Sequence, residues 1–366
     1  MKFGFILFML IPVLAHVYVM WHVHQVLPLP LWGKWTVVAL MTAALAMMIA
    51  GIAGTFDRMP LEAASVAYDV STSWLIVFLY LLLAFVLLDL GRLVHLVPKA
   101  WLHDNAWVAG TITAVIAGLL IYGNVHYHNK IKEPLSLTTS KRLTKPVRVL
   151  LLSDLHLGYH NRKAEWQRWV EMLNAEHADL ILVAGDIIDG YVRPLLDEDM
   201  AADFHRLNAP VVACLGNHEY ITGIDRSLDF YRRAGITLLR DSVLTVGDLL
   251  IVGRDDRSNS SHRRSTSQLL EGADRGKFII VLDHQPYNLE ESQQCGVDLQ
   301  FSGHTHEGQV WPISLMVHRM YENAWGYCRK GNTHYYVSSG IGIWGGKYRI
   351  GTRSEYVVAT ISTVNQ

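Results

Sequence analysis

The chain has 366 residues, with 32 Lys and Arg against 33 Asp and Glu, and is 51% hydrophobic but only 18% charged. That length allows two domains, and that apolarity is too high for a protein lying wholly in water, so part of the chain belongs in lipid. A net charge of −1 removes the electrostatic case for nucleic acid, and Cys214, Cys295 and Cys328 form neither a disulfide pattern nor a metal spacing.

The apolar excess lies at the front. Four stretches, 5–21, 36–55, 74–93 and 107–122, are each long enough to cross a hydrocarbon core of about 30 Å. Trp21, Trp32, Trp35, Trp74, Trp101 and Trp107 fall at or beside their ends, where an aromatic belt forms. A buried bundle in a soluble protein would need polar faces at helical spacing, and the second to fourth stretches lack them. Lys2, Arg58 and the cluster Lys130, Lys132, Lys141, Arg142, Lys145 and Arg148 fall on one side of such spans, and Lys34, Arg92 and Lys99 on the other. The richer side is expected to be cytoplasmic, which predicts a multi-pass inner-membrane protein with its carboxyl-terminal domain inside the cell. Alternatively the first stretch is a signal peptide cleaved near Val13-Leu14-Ala15, which leaves three spans and the same orientation. Asp89 and Arg92 read as an i,i+3 ion pair at the lipid boundary.

Between residues 125 and 146 the chain turns polar and basic, which predicts a juxtamembrane linker able to lie against anionic headgroups. From residue 147 strand and helix signals alternate: strand 148–152, helix 163–177, strand 180–184, strand 211–215, helix 224–234, then strand-rich segments to 357–361. The predicted organisation is therefore a helical membrane region of about four spans over 1–124, a linker over 125–146 and an α/β domain over 147–366, with motifs at the carboxyl ends of strands.

Five polar motifs close these apolar runs: Asp154-Leu155-His156, Gly185-Asp186-Ile187-Ile188-Asp189, Gly216-Asn217-His218-Glu219, Asp283-His284 and Gly303-His304-Thr305-His306. Zinc, manganese and iron take imidazole and carboxylate ligands, and two such ions about 3.5–4 Å apart grip both oxygens of an in-line phosphoryl displacement. In a strand, residues two apart share a side, so Asp154 with His156 and His304 with His306 converge if that geometry persists to the strand end. Single pairs such as His22-x-His24 and His126-x-His128 carry no such weight and are assigned to the membrane interface.

In order and type these motifs resemble those of the calcineurin-like metallophosphoesterase family. The membrane-anchored prokaryotic branch is the nearest in likeness, through Ser153 to Gly158, Gly308-Gln309 and Ser339 to Gly342. The resemblance covers residues 147–363. It implies a four-layer α/β/β/α sandwich and two divalent cations, with manganese expected and iron or zinc compatible. By it, one ion would be held by Asp154, His156, Asp186 and His306, and the other by Asp186, Asn217, His284 and His304, with Asp186 as the bridge. His218 would meet the phosphate or the leaving-group oxygen, and a water held by the metals would be the nucleophile. Asp189 and Glu219 would orient ligands or His218 from behind, and Asn217 would also face substrate. His160 is expected either to lean into the site or to lie on the surface.

Two residues depart from the family pattern, Glu307 after His306 and Asp283 before His284, and both are expected to add negative charge near the centre. Arg254, Arg257, Arg263 and Arg264 frame the polar loop Ser258-Asn259-Ser260-Ser261, and Arg254, nearest the strand end, is the candidate phosphate contact. The apolar run 310–317 reads either as a receiver for an acyl or prenyl chain or as a core strand. The expected function is a membrane-bound phosphoesterase acting on a phosphodiester, phosphomonoester or pyrophosphate bond, with a lipid-linked or a soluble substrate. The alternative is a metal-containing sensor or scaffold that binds a phosphorylated ligand without turning it over. A transporter is disfavoured, because the spans lack paired broken helices and mid-membrane charges.

Overall fold

The computed structural model describes residues 2–259 and 262–364, the side chains of residues 2–10 excepted. Ser260 and Ser261 of the polar loop, and part of the first expected span, thus lie outside the described residues. The chain divides into two units, 1–123 with 345–347, and 124–344 with 348–366.

The first unit is built from α1 (Lys2–Val26), α2 (Leu31–Ile52), α3 (Leu61–Leu93) and most of α4 (Ala106–His128). Val19, Val23, Val26, Met41, Phe85 and Leu102 are buried between them. Among the described residues three helices, α2, α3 and α4, rather than the expected four, are long and apolar enough to cross a membrane. The remaining stretch, 5–21, falls in α1, and part of it is not described. α3 begins well before the predicted residue 74 because Pro60 stands at its amino-terminal cap and 61–73 are helix-compatible. The ion pair of Asp89 with Arg92 is formed at 3.1 Å, and Tyr18 Oη donates to the same carboxylate at 2.8 Å.

Among the described residues of the second unit twelve strands form two six-stranded sheets. The first sheet has the order β1 (Lys130–Thr139), β12 (Ser354–Thr363), β2 (Val147–Leu152), β3 (Leu180–Ala184), β4 (Val211–Cys214) and β5 (Thr237–Leu238). The second runs β10 (Gly326–Lys330), β11 (Thr333–Val337), β9 (Leu299–Ser302), β8 (Phe278–Leu282), β7 (Leu249–Gly253) and β6 (Ser242–Val246). Alternate side chains from both sheets, among them Leu151, Leu182, Ile251, Ile280, Leu299 and Val357, meet in the middle. The outer face of the first sheet packs against the helices Lys163–Asn174 and Ile224–Arg233, and that of the second against short helices. The fold is the expected α/β/β/α sandwich. Helix Lys163–Asn174 shows why: Trp166, Trp169, Val170 and Leu173 recur at 0, 3, 4 and 7, so one stripe is buried against the sheet.

Two expectations are corrected. Most of 125–146 is not a linker: α4 continues to His128, and β1 pairs in parallel with β12 from Lys130↔Ser354 to Thr139↔Thr363. Leu135, Leu137 and Thr139 point inward in strict alternation, and Pro134 is tolerated because β1 is an edge strand. The run 310–317 is not a strand: Pro312 caps the helix Ile313–Met320, which buries Ser314 and leaves Leu315, Met316 and Met320 exposed.

Candidate metal centre

The motifs follow β2, β3, β4, β8 and β9, so strands of both sheets deliver them to one end of the sandwich. The delivery differs from simple strand alternation. Asp154, His156, Asp186, His304 and His306 all have left-handed backbones, with φ of 55°, 45°, 52°, 71° and 49°. Such conformations are unfavourable for residues bearing a Cβ, and they cluster here because each chain must turn sharply off its strand to aim a side chain. Glycines make room for the turns: a Cβ on Gly303 would stand 2.2 Å from Asp154 Oδ2, and one on Gly216 2.2 Å from Asp186 Oδ1.

Three groups of donors result among the described residues, of which two consist of expected ligands and the third joins His156 to Asp189 and His218. Asp154, His156 and His306 present donor atoms within 4.8 Å of one another, as do Asp186, His284 and His304. In the first, His156 Nε2 lies 3.1 Å from His306 Nε2 and 3.8 Å from Asp154 Oδ1, and His306 Nε2 lies 3.6 Å from Asp154 Oδ1. In the second, Asn217 Oδ1 lies 3.1 Å from His284 Nε2 and 2.8 Å from His304 Nδ1. Asp186 Oδ2 stands between the groups, 3.7 Å from His156 Nε2 and 3.1 Å from His284 Nε2. Ligands about 2.1 Å from a common ion sit roughly 3.0–3.4 Å apart, so these separations fit shared cations. The seven expected ligands therefore lie together, with Asp186 between the two groups.

Electrostatics points the same way. Asp154 and Asp186 are fully buried, which would raise their pKa, yet the surrounding histidines hold both below the usual carboxylate range. Burial pushes His156 down, but hydrogen bonds to Asp154 and Asp189 and the charge of Asp186 lift it to about 10. His284 is likewise raised, Asp186 outweighing burial, whereas burial lowers His304 to about 4 and His306 to about 3. Buried carboxylates without a cation draw protons onto neighbouring imidazoles, and divalent ions would take the place of those protons.

The supporting residues fix orientation. His284 Nδ1 lies 2.7 Å from the Ala184 carbonyl, which assigns its proton there and leaves Nε2 bare for a ligand bond. Asp189 Oδ1 is hydrogen-bonded to His156 Nδ1 at 3.2 Å, which fixes the tautomer of that ring, and it faces His218 Nδ1 at 3.4 Å. Glu219 accepts from the amides of Asp186 at 3.1 Å, Ile187 at 2.9 Å, Ile188 at 3.1 Å and Gly216 at 2.8 Å, pinning the two loops that carry Asp186 and Asn217. His160 is buried, 3.9 Å from Asp189 Oδ2, and takes the inner of its two expected places.

Arg254 is not brought to the donor groups. Its Nη1 donates to Glu291 at 2.8 Å and faces Asp283 at 3.5 Å, and its Nη2 donates to the Arg264 carbonyl at 3.0 Å. The reason is parity along β8: His284 continues the inward series Ile280 and Leu282, whereas Asp283 continues the outward series Ile279 and Val281. Asp283 is also neutralised, 2.5 Å from Arg263 Nη2, so it does not add the free charge its sequence position suggested. Glu307 lies 3.7 Å from His318, and burial raises its pKa against that pairing. The sequence reading missed Arg349 and Asn161. Arg349 is fully buried, its Nη1 donating to the His306 carbonyl at 2.8 Å, and Asn161 Nδ2 donates to the carbonyls of Leu155 and His156 at 3.2 and 3.1 Å. No motif marks Arg349; its only signal is its place after the turn Ser339 to Gly342.

Residues 147–308 match the model of the calcineurin-like phosphoesterase family. An uncharacterized metallophosphoesterase of Helicobacter pylori is 31% identical over 243 residues, 65% of this chain and 65% of that protein, so the chain spans just under two thirds of that relative's length. An uncharacterized metallophosphoesterase of Aquifex aeolicus is 31% identical over 224 residues, 59% of this chain and 85% of that protein. A transmembrane protein with metallophosphoesterase domain from Danio rerio is 29% identical over 309 residues, covering 75% and 70%.

Proposed function

Because the chain belongs to the calcineurin-like metallophosphoesterase family, we propose that it is a membrane-bound phosphoesterase with a dinuclear divalent-metal centre, manganese being the expected pair. The observation that carries this reading is Asp186 Oδ2, shared between His156 at 3.7 Å and His284 at 3.1 Å. Two cations held by Asp154, His156, Asp186, Asn217, His284, His304 and His306 would supply charge stabilisation for the ester oxygens and bring a water's pKa toward neutrality.

The remaining work falls to the chain. Asp189 faces His218 Nδ1 at 3.4 Å, and His218 Nε2 would give a proton to the leaving oxygen of a diester, monoester or pyrophosphate. Glu219 keeps the Asp186 and Asn217 loops at a fixed separation while that happens. A lipid-linked substrate is supported by the three apolar helices and by exposed Leu315, Met316 and Met320, which follow His306 closely in the chain. The same reading places the protein in the inner membrane with this site on the cytoplasmic side, to be checked by labelling single cysteines in intact cells.

The test is turnover of chromogenic phosphodiesters and monoesters by the detergent-purified protein, metal-stripped and then refilled with manganese, iron or zinc, beside Asp186→Asn. Restored turnover in the wild type alone supports the reading. No turnover with any metal despite two bound ions per chain would sink it and favour a ligand-sensing role. Lipid phosphoesters in vesicles cleaved no faster than soluble esters would remove the lipid-linked part.

A further inference from the structure

Beyond the metal-binding side chains, an aromatic path leads to a second cationic site. The ring of His304 lies 6.3 Å from that of Tyr321, and the Tyr321 and Tyr287 rings are 4.9 Å apart with their hydroxyls 3.0 Å from each other. On the Tyr287 ring, 4.9 Å from its centre, rests the guanidinium of Arg257. Beside it opens a cavity of about 430 Å³ lined by Arg254, Arg257, Arg263, Ser265, Ser267 and Asn288, with Glu291 among its walls.

The ion pairs there leave one guanidinium without a carboxylate in contact among the described residues. Glu291 is taken up by Arg254 at 2.8 Å, and Asp283 by Arg263 at 2.5 Å. Asp255 is paired with Arg240 at 2.9 Å, and Asp256 accepts from neutral donors, Gln285 Nε2 at 2.9 Å and the Ser258 amide at 2.8 Å, rather than from Arg257. Arg257 is left over: among the described residues its Nε is buried with no acceptor, and so is Nε of Arg254. Burial and the charges of Arg263 and Arg254 lower the Arg257 pKa, with Asp283 opposing. A planar cation stacked on an aromatic ring, with donors unsatisfied and a cavity in front of it, is built to receive a phosphoryl group.

We infer that Arg257 binds a second phosphoryl group of the substrate, one that lies beyond the ester being cut and is reached across Tyr321 and Tyr287. The assignment moves the phosphate contact expected at Arg254 to the neighbouring arginine that is not already paired. Its substrate class, a phosphoester carrying a further phosphate, rests on the phosphoesterase reading. The binding itself is measured without turnover.

The experiment is calorimetric titration of inorganic pyrophosphate into full-length, metal-stripped protein in detergent, for the wild type, Arg257→Ala, Arg257→Lys and Asp186→Asn. Arg257→Ala is expected to weaken binding roughly tenfold to a hundredfold, Arg257→Lys to restore part of it, and Asp186→Asn to leave it unchanged. Pyrophosphate binding that is equal in the wild type and Arg257→Ala, or lost instead in Asp186→Asn, overturns the inference whatever the enzyme does. In the metal-loaded protein Arg257→Ala should raise the KM of a chromogenic phosphoester carrying a second phosphate on an extended linker about tenfold more than that of the same ester without that phosphate. A uniform rise would overturn it. If no ester is turned over but pyrophosphate binding still depends on Arg257, the anion site stands and the phosphoesterase reading falls.

Discussion

Arg349 has no carboxylate in ion-pair contact among the described residues, yet it is fully buried, and burial pushes its pKa down to about 10. Carbonyl oxygens make that tolerable: besides the His306 carbonyl, Nη2 donates to Ser339 at 2.5 Å, Gly342 at 3.0 Å and Gly340 at 3.3 Å. One side chain thus joins the His306 backbone to the turn that abuts Asp154, where a Cβ on Gly340 would stand 2.8 Å from that of Asp154. Arg349→Met should strand those carbonyls and cost about 3–5 kcal/mol in a denaturant titration. Arg349→Lys keeps the charge but not the fork, and is expected to fold with metal affinity about tenfold lower by competition with a chelating dye. His218 offers the contrasting case, a residue proposed to meet substrate rather than to hold the frame. His218→Ala should lower kcat by about 10²–10⁴ and leave metal content by elemental analysis unchanged.

One tie between a helix and the strands of the first sheet responds to acid. Glu176, just past helix Lys163–Asn174, accepts from Lys132 of β1 at 2.5 Å, Arg148 of β2 at 2.7 Å and Tyr356 of β12 at 3.0 Å. Burial would raise its pKa, but those hydrogen bonds hold it below the ordinary 4.5. A carboxylate depressed on folding adds stability that is present above pH 4.5 and lost as the pH falls through the lower folded value. Glu176→Gln should therefore cost about 1 kcal/mol near neutrality, Lys132 and Arg148 being partly solvated, and should flatten the acid limb of a stability-against-pH curve. An unchanged acid limb would show that the three strands are not joined through this carboxylate. The same elements show what could be read from sequence. Continuous apolar runs such as 149–152 and 180–184 announce strands, and the polar residues closing them announce the donors. β1 was missed although Leu135, Leu137 and Thr139 alternate, because Pro134 and the lysines around it read as linker. Helix Ile313–Met320 was missed because an apolar run of that length has no period to distinguish helix from strand. That Arg257 is left unpaired while Arg254 is not depends on which carboxylates reach which arginine, and no spacing along 254–264 carries that.

At the scale of the whole molecule, the two units have different reasons to be stable. The first contains three helices apolar and long enough to cross a membrane, whereas the sandwich carries two fully buried carboxylates, Asp154 and Asp186, at the junction of its sheets. A cation that binds the folded sandwich and not the unfolded chain stabilises only that unit, by about 2.7 kcal/mol at a hundredfold excess over Kd. For a unit of this size that corresponds to a rise in Tm of roughly 5–10 °C. Scanning calorimetry of the detergent-solubilised chain should then show one transition that moves with manganese concentration and another that does not, since two units need not unfold together. His284→Ala removes a ligand from one group and leaves the other, so its shift should be smaller than that of the wild type. Asp186→Asn weakens both groups at once and should lose most of the shift. Equal losses in the two variants would mean that the groups do not share Asp186. A shift in the transition of the helical unit would mean that metal binding is not confined to the end of the sandwich where the strands deliver their donors.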